Sequence, residues 1–163
     1  MKNQKIIIIV AMGRNNEIGR DNHLLWSLPN DMKRFKSLTT GHTVVMGYNT
    51  FKSLPKGKLP NRRNIIMTTH DIAIDGCEVA HSVEQVLAMT QDDGEVYIIG
   101  GGEVYRQFLP IADVLMVTHV DDSQPADRYF PVIDGKLWHI TDDEAFAADE
   151  RHAVAYRFVR YER

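Results

Sequence analysis

The chain has 163 residues, 44% of them hydrophobic and 25% charged, and its formal net charge is −3. These values predict one domain over residues 1–163 with a sizeable core, and they give no reason to expect nucleic acid or an anionic membrane as a partner. The lone cysteine, Cys77, excludes an internal disulfide and fits the reducing cytoplasm.

The first predicted element is a buried strand, because the aliphatic run at residues 6–12 is bounded by turn residues. The run is far too short to span a bilayer, and no small-residue cleavage site follows it, which argues against a secretory signal. Residues 13–28 are predicted to form a long polar loop, of the kind that often serves as a lid. Pro29 then suits the first position of a helix that ends near Leu38.

Strands and helices alternate along the rest of the chain. We predict strands at residues 42–46, 64–68, 78–80, 95–99 and 114–120, and helices at residues 49–54, 82–90 and 103–109. Ser82 is the predicted N-cap of the helix that it opens, with Gln85 three residues on. This alternation predicts a mostly parallel sheet covered on both faces. The extended runs at residues 138–146 and 153–161 instead predict an antiparallel hairpin at the sheet edge.

Asp31 is the one acidic residue in the segment 26–36, and helical spacing places it on the same side as Phe35 and Leu38. A carboxylate on that apolar side faces the core or a pocket, where an unpaired charge is costly. Two explanations remain open. Asp31 either bonds to the free amides of its own helical turn, or it anchors a ligand that carries an amidine-like pair of donors and supplies it with a proton.

Two predicted strand-to-helix junctions contain glycine. Gly47 follows one strand, and Gly100, Gly101 and Gly102 follow another. Helix N-termini offer free amides and partial positive charge, which suit a diphosphate at the C-terminal ends of strands in an α/β sheet. The alternative is that tight turns need glycine for conformation alone. Neither junction matches the six-residue dinucleotide fingerprint or the lysine-containing phosphate loop, which disfavours ordinary Rossmann and nucleoside-triphosphatase functions.

Arg62 and Arg63 directly precede a predicted strand. An arginine fork binds a carboxylate in bidentate fashion, so one of them can grip an anion, but two solvated charges are the simpler interpretation of this fragment. The seven histidines have no metal-ligand spacing, and we expect no metal site. The chain also lacks a nucleophile elbow and any serine or cysteine triad signature.

A set of short motifs runs through nearly the whole chain. The motifs are Ile18-Gly19, Trp26-x-Leu-Pro-x-Asp31, Val45-Met-Gly47 with Thr50-Phe51-x-Ser53, Leu59-Pro-Asn-Arg62-Arg-Asn64, Ile99-Gly-Gly-Gly102-x-Val-Tyr105, Thr118-His119 and Asp127-x-x-Phe-Pro131. Each motif alone is weak, but the ordered set resembles dihydrofolate reductase of the bacterial, single-domain type. The resemblance implies a three-layer α/β sandwich, with a mostly parallel sheet of about eight strands, an antiparallel C-terminal hairpin and about four flanking helices.

The resemblance also implies a substrate site. Asp31 would bind the amino group and adjacent ring nitrogen of the pterin, with Thr118 supporting it, and Trp26 would help to hold a water near the reacting centre. Arg62 would grip the α-carboxylate of the glutamate tail. The wall of the pterin and aminobenzoyl pocket would consist of Ile9, Ala11, Met32, Phe35, Leu54 and Ile99.

The resemblance further implies an NADPH site with Tyr105 beside the nicotinamide and a cis peptide bond between Gly100 and Gly101. The loop at residues 13–28 would be the lid that closes over the nicotinamide and excludes water. The residues implied to contact the coenzyme are Ala11, Ile18, Gly19, Gly47, Tyr48, Asn49, Thr50, Met67, Thr68, Thr69, His81, Gly100, Gly101, Gly102, Glu103, Val104 and Tyr105.

The coenzyme site departs from the family pattern at three positions. Tyr48 and Glu103 replace arginines that flank the adenosine phosphates, and Thr69 stands where serine or arginine is common. A 2′-phosphate normally needs cationic partners, so these changes weaken the expected preference for NADPH over NADH. The side chains that can compensate are His70, His81 and Arg63.

The lid departs from the pattern as well. Leu25 stands where the family usually has proline before the tryptophan, which loosens the expected closed geometry. Ala126 stands where related enzymes have glycine, in a loop expected to brace the lid.

The implied activity is the NADPH-dependent reduction of 7,8-dihydrofolate to 5,6,7,8-tetrahydrofolate, for one-carbon transfer and thymidylate synthesis, by a cytoplasmic monomer. Hydride passes from the reduced nicotinamide to the imine carbon, and Asp31 raises the basicity of the neighbouring nitrogen or relays a proton to it through water. Two alternatives remain: a reductase of the same fold that acts on a pyrimidine of the riboflavin pathway, and a pterin- or nucleotide-binding module without catalysis.

Overall fold

The elements of the fold follow the predicted alternation of strands and helices. The computed structural model describes residues 3–21 and 23–163. The strands are β1 (Gln4–Met12), β2 (Glu17–Gly19), β3 (Thr43–Gly47), β4 (Arg63–Met67), β5 (Glu78–Ala80), β6 (Gly94–Gly100), β7 (Val114–Val120), β8 (Arg128–Tyr129), β9 (His139–Phe146) and β10 (Tyr156–Glu162). The helices are α1 (Pro29–Thr39), α2 (Tyr48–Ser53), α3 (Val83–Met89) and α4 (Gly102–Phe108), and α4 is followed by a 3₁₀ turn at Leu109–Ile111.

Eight of the strands form one sheet in the order β5-β4-β3-β6-β1-β7-β10-β9. The first six strands in this order, from β5 through β7, run parallel to one another, whereas β10 runs antiparallel to both β7 and β9. This arrangement confirms the predicted mostly parallel sheet with an antiparallel C-terminal hairpin at its edge. β1 lies between β6 and β7, and its residues 6–10 are buried on both faces of the sheet, which explains their uninterrupted aliphatic sequence.

Helices cover both faces of the sheet. Alternate residues of β1 point to opposite faces: Ile6 and Ile8 pack in the cluster that includes residues of α3 and α4, whereas Ile7 and Ile9 pack in the cluster that includes residues of α1 and α2. The predicted three-layer α/β sandwich is therefore confirmed. No helix among the described residues is long and apolar enough to cross a membrane.

The loop at residues 13–28 differs from its prediction, because it contains the strand β2. Glu17 of β2 pairs with Tyr129 of β8 in a separate two-stranded sheet. A strand of three residues whose partner lies far away in the sequence leaves no local period to detect. The loop is therefore tied to the segment around residue 128 rather than free along its length.

The predicted helix starts are close to those observed. Pro29 is the first residue of α1, and Leu28 before it is extended, as expected for a residue that precedes proline. Ser82 caps α3, since its hydroxyl accepts a hydrogen bond from the backbone N–H of Gln85 at 3.0 Å. The side chain of Gln85 accepts from the N–H of His81, one residue before the position that a capping box requires.

Candidate functional site

Asp31 lies in the first turn of α1, at the C-terminal side of the parallel strands. Its Oδ1 accepts a hydrogen bond from the hydroxyl of Thr118 at 2.5 Å. Thr118 lies on β7, is 2% exposed and pairs with Ala11 of β1. The hydrogen bond described for this carboxylate is therefore made to the sheet rather than to the free amides of α1. This contact argues against the explanation by free helix amides, and the role of Asp31 as an anchor for a ligand stays a prediction.

Burial raises the pKa of Asp31 above its ordinary value, while the Thr118 hydrogen bond and the positive charge of Arg34 act in the opposite direction. The guanidinium of Arg34 lies 4.3 Å from the ring centroid of Phe158, which pairs with Thr118 across the sheet. Arg34 was not predicted to belong to the site. Its spacing of three residues from Asp31 on one helix was the signal that could have revealed it.

The predicted wall of the pocket is largely brought together. Ile9, Phe35, Leu54 and Ile99 belong to one hydrophobic cluster beneath α1 and α2. Ala11 follows on β1, half-buried. Met32 is 61% exposed on α1, so this side chain lies at the rim rather than in the cluster.

Arg62 is held next to the C-terminal end of α1. Its Nη1 donates to the hydroxyl of Thr39 at 3.1 Å, and its Nε donates to the carbonyl of Pro60 at 2.9 Å. Thr39 is fully buried and in turn donates to the carbonyl of Phe35 at 2.8 Å. Two of the guanidinium nitrogens are thus oriented, and partial burial lowers the pKa of Arg62 without removing its charge.

Arg63 has a different role from the one predicted for it. Its guanidinium makes two hydrogen bonds with the carboxylate of Glu78, at 2.5 and 2.7 Å, and one with that of Asp93 at 2.7 Å. A further N–H bond reaches the carbonyl of Met89 at 3.0 Å. The interpretation as a solvated charge is therefore wrong. Arg63 is also poorly suited to compensate for missing cations at a coenzyme phosphate, because four of its five N–H donors are used and its charge is paired with two carboxylates.

The two glycine junctions lie next to each other at the C-terminal ends of β3 and β6, which are parallel neighbours. A Cβ atom on Gly47 would lie 3.2 Å from Val104 Cγ2 and 3.9 Å from Gly101 N. A Cβ atom on Gly101 would lie 3.3 Å from Thr50 Oγ1. Side chains at these glycines would therefore fill the space between the two turns.

The same junctions leave backbone amides available for an anion. α2 begins after Gly47 and α4 after Gly101, and glycine has no side chain with which to cap the first amides of a helix. Uncapped amides with a partial positive charge fit the diphosphate of a dinucleotide. The Gly100–Gly101 peptide bond is cis, as the resemblance implied, and Gly100 has a φ of +127°, a conformation that favours glycine.

Tyr105 supports this turn from beneath. Its hydroxyl donates to the carbonyl of Ile9 at 2.8 Å, and a Cβ atom on Gly100 would lie 3.3 Å from the same hydroxyl. Burial strongly raises the pKa of Tyr105, and the charge of Asp31 acts in the same direction. The phenol therefore stays protonated near neutral pH, with its proton committed to β1.

The remaining residues predicted for the coenzyme lie on the surrounding ends of β2 to β6 and α4. His81 Nδ1 lies 2.7 Å from the carbonyl of Thr68, which orients the exposed ring. Glu103 forms an ion pair with Arg106 in the first turn of α4. Lys52, which was not predicted to belong to the site, lies 4.7 Å above the ring centroid of Tyr48. The other members are Ile18 and Gly19 on β2, Met67 on β4, Asn49 on α2, Thr69 after β4, and Gly102 at the start of α4.

The predicted lid contacts the segment at residues 121–129, which includes the loop expected to brace it. The backbone N–H of Arg14 donates to the carbonyl of Asp122 at 3.0 Å, and the N–H of Asp127 donates to the carbonyl of Gly19 at 3.0 Å. Leu25 is half-buried despite replacing proline. Closure of this loop over a bound nicotinamide stays a prediction.

Two further lid residues are held by the same segment. The indole N–H of Trp26 donates to Asp122 Oδ2 at 3.0 Å, so the predicted water contact of Trp26 would compete with this bond. Glu17 is 1% exposed, and its carboxylate accepts from the hydroxyl of Ser123 at 2.7 Å and from the N–H of Gln124 at 3.0 Å. The burial of Glu17 was not predicted, because two of its donors, Ser123 and Gln124, come from a distant segment and only the N–H of Asn15 is local.

Comparison with known proteins identifies close relatives over nearly the whole chain. A family model described as dihydrofolate reductase matches residues 5–163. The dihydrofolate reductase of Bacillus subtilis is 39% identical over 159 residues, which cover 97% of this chain and 94% of that protein. The dihydrofolate reductase type 3 of Salmonella typhimurium is 38% identical over 97% of this chain and 98% of its own length.

A solved structure has the same fold. It is the dihydrofolate reductase of Enterococcus faecalis complexed with NADP(H) and RAB-propyl, with a TM-score of 0.91 and 34% sequence identity. The match covers 98% of this chain and 96% of that one, so the similarity includes both the sheet and its flanking helices.

Proposed function

This chain belongs to the dihydrofolate reductase family, and we propose that the pocket beside Asp31 is the place where it acts. It is an NADPH-dependent oxidoreductase that reduces 7,8-dihydrofolate to 5,6,7,8-tetrahydrofolate. The observation that carries the assignment of the site is the hydrogen bond between Asp31 and Thr118, which holds the carboxylate near the C-terminal end of β7. The two glycine junctions also lie at C-terminal ends of parallel strands, those of β3 and β6.

Asp31 binds the substrate through its geometry and its charge. A carboxylate accepts two parallel hydrogen bonds from a planar donor pair, such as the amino group and adjacent ring nitrogen of a pterin. Thr118 fixes one oxygen and so sets the plane of the carboxylate. The surrounding apolar cluster excludes water from the bound ring, which strengthens these electrostatic interactions.

Asp31 also provides the proton. Its raised pKa increases the fraction of protonated carboxyl at neutral pH, so it can pass a proton to the substrate through water. Tyr105 is not a competing acid, because its proton is bonded to the carbonyl of Ile9 and its pKa is raised strongly. Tyr105 and Trp26 are therefore assigned to positioning, the first at the Gly100 turn and the second between the lid and Asp122.

The coenzyme residues of this chain fit a dinucleotide. The uncapped amides after Gly47 and Gly101 would hold the diphosphate, and the small residues at both turns let it approach the backbone. Exposed Lys52 and the exposed imidazole of His81 are the groups proposed to contact the adenosine end. When bound, the reduced nicotinamide supplies the hydride.

Residues 1–163 are proposed to act as one domain, as a monomer in the cytoplasm, on a small-molecule substrate and without a nucleic-acid or membrane partner. The first strand, β1, lies between the later strands β6 and β7 in one sheet. Early and late parts of the chain therefore form the same sheet, which supports a single domain. The net charge of −3 gives no reason to expect an anionic partner. The lone cysteine fits a reducing compartment. Light scattering at working concentration tests the monomer.

The experiment that tests the function is the loss of reduced-nicotinamide absorbance when dihydrofolate is added, run in parallel with NADPH and NADH. We expect oxidation of NADPH that depends on dihydrofolate, with a lower KM for NADPH than for NADH. Oxidation with a pyrimidine substrate instead of dihydrofolate would transfer the assignment to the related reductases. Binding of dihydrofolate without oxidation of either coenzyme would leave only a binding module.

Arg62 is proposed to bind the glutamate α-carboxylate, because its guanidinium is oriented by Thr39 and Pro60 next to the apolar cluster. The ring pocket is proposed to be lined by Ile9, Ala11, Phe35, Leu54 and Ile99, with Met32 at its rim.

A substrate analogue without the glutamate tail tests the role of Arg62. It should bind wild-type enzyme more weakly than dihydrofolate and should bind an Arg62→Ala variant equally weakly.

A further inference from the structure

The first turn of α1 lacks a cap from its own sequence. Its N-cap residue is the apolar Leu28, which makes no side-chain hydrogen bond, and Pro29 follows it. The next residue, Asn30, therefore has a backbone N–H with no partner inside the helix. Asp31 is bonded covalently to Asn30, so whatever holds Asn30 also restrains the carboxylate at the pocket.

His152 accepts that hydrogen bond from the other end of the chain. The N–H of Asn30 donates to His152 Nε2 at 3.2 Å, although the two residues are 122 positions apart. A backbone N–H can only donate, so Nε2 must carry a lone pair. The proton of the neutral ring is then on Nδ1, which lies 2.9 Å from Asp149 Oδ1. The imidazole thus links the carboxylate of Asp149 to the start of α1.

The turn that presents His152 is held by further hydrogen bonds. Asp149 Oδ1 accepts from the backbone N–H of Arg151 at 2.9 Å and from that of His152 at 2.8 Å. The His152 ring packs on Tyr156, with 4.9 Å between ring centroids, and the residue is 1% exposed. A ring that is this buried and bonded at both nitrogens has one orientation available.

A second contact joins the same two parts of the molecule. Asn30 Nδ2 donates to the hydroxyl of Tyr156 at 2.8 Å, and Tyr156 pairs with Val120 of β7. Thr118, the partner of Asp31, lies two residues before Val120 on that strand. The start of α1 is therefore fixed to the sheet by His152, Tyr156 and Thr118 together.

We propose that His152 is a positioning residue for the reaction, which caps α1 from the β9–β10 turn and thereby fixes the Asp31 carboxylate against Thr118. The proposal rests on the function assigned to Asp31 above. His152 does not touch the substrate. It acts because a carboxylate that binds the ring and passes a proton loses rate when the helix turn beneath it shifts by a fraction of an ångström.

Two matched variants separate this role from a merely structural one. In His152→Gln the amide oxygen reaches the position of Nε2 and keeps an acceptor for Asn30. In His152→Asn the shorter amide replaces only Nδ1 and keeps the contact with Asp149. We expect kcat for dihydrofolate to fall about tenfold in His152→Asn and to stay within about twofold of wild type in His152→Gln, with the KM for NADPH unchanged in both.

The same change in an Asp31→Asn background tests whether the effect passes through Asp31. If His152 acts by placing the carboxylate, adding His152→Asn to Asp31→Asn should lower kcat no further, because the positioned group is absent. His139→Asn, at an exposed histidine of β9, is the control for losing a histidine and should match wild type. Thermal unfolding of each variant confirms that it is folded.

Equal kcat in the Asn and Gln variants, or a tenfold loss that persists without Asp31, would overturn the proposal. If His152→Asn does not fold, Asp149→Ala is the alternative variant, because Asp149 is exposed and its loss releases the His152 ring. In this variant kcat should fall by less than in His152→Asn, with the same dependence on Asp31. Wild-type enzyme that fails to reduce dihydrofolate would remove the assigned function. Wild-type activity that needs Asp31 but not His152 would remove this proposal alone.

Discussion

The side of the molecule proposed to bind the substrate and the side proposed to bind the coenzyme are built from different kinds of groups. On the substrate side, Asp31 and Arg62 are single charged side chains, each oriented by a threonine: Thr118 for the first and Thr39 for the second. On the coenzyme side, the groups suited to an anion are backbone amides at two glycine turns, and the side chains around them vary from the family pattern.

This difference determines which substitutions the chain tolerates. A side chain that makes charge-assisted hydrogen bonds has no substitute when it is removed, whereas backbone amides persist whatever side chains surround them. Tyr48 directly follows Gly47 and Glu103 directly follows Gly102, at positions where the resemblance implies arginines. The substrate side should therefore be sensitive to single substitutions, and the coenzyme side should respond to surface charge in small steps.

Asp31→Asn gives the largest expected effect. The amide keeps the size of the carboxylate but has no proton to pass on and no charge for a cationic donor pair, so kcat should fall by about two orders of magnitude or more. Steady-state and single-turnover rates with dihydrofolate and NADPH measure the loss. The control is the Kd for NADPH, which should not change, because Asp31 lies on the substrate side. Near-normal turnover would remove Asp31 from its assigned role.

Asp31 and its partner show how far sequence reasoning extends. Helical spacing placed Asp31 on the apolar side of α1, and Pro29 marked the helix start; both are confirmed. These features depend on neighbours within a few residues. The pairing with Thr118 was implied by the family resemblance rather than by any local pattern, because the two residues meet only when β7 joins the sheet.

Contacts between distant segments were missed for the same reason. Strand β2 exists because β8 pairs with it, and Arg63 is engaged because Glu78 and Asp93 fold against it. Neither partner is visible in the local sequence. The hydrogen bond from Asn30 to His152 spans 122 positions of the sequence. The local sequence of α1 contains no capping side chain, so this cap forms only when the β9–β10 turn packs against the helix.

Arg62→Ala should give the next largest effect, and it should appear in substrate binding. Loss of a charge-assisted pair costs about 2–3 kcal/mol, so the KM for dihydrofolate should rise roughly 30- to 160-fold with little change in kcat. Arg62→Lys keeps the charge but not the planar fork, and its KM should lie between the two. An unchanged KM in the alanine variant would show that the tail carboxylate binds elsewhere.

Thr118→Val tests the electrostatic part of the substrate side. The hydroxyl stabilises ionised Asp31 and lowers its pKa, so the variant should raise that pKa further. Asp31 then keeps its proton to higher pH, and the limb of the pH–rate profile that falls as pH rises should move up by about half a unit to one unit. Thr118→Ser retains the hydroxyl and should leave the limb in place. An unmoved limb in the valine variant would assign the titration to another group.

Glu103→Arg should give the smallest effect and is the sharpest test of the coenzyme side. Glu103 is exposed in the first turn of α4 and pairs with Arg106, so replacing it removes a negative charge and adds a positive one near the bound phosphates. Exposed charges contribute little in water, and the KM for NADPH should fall only about three- to fivefold. Glu103→Gln should give part of this gain, and high salt should remove it, because exposed charges are screened. If the KM values for NADPH and NADH fall equally, the new charge acts on the diphosphate. A gain for NADPH alone instead assigns the effect to the 2′-phosphate and makes this surface the determinant of coenzyme preference.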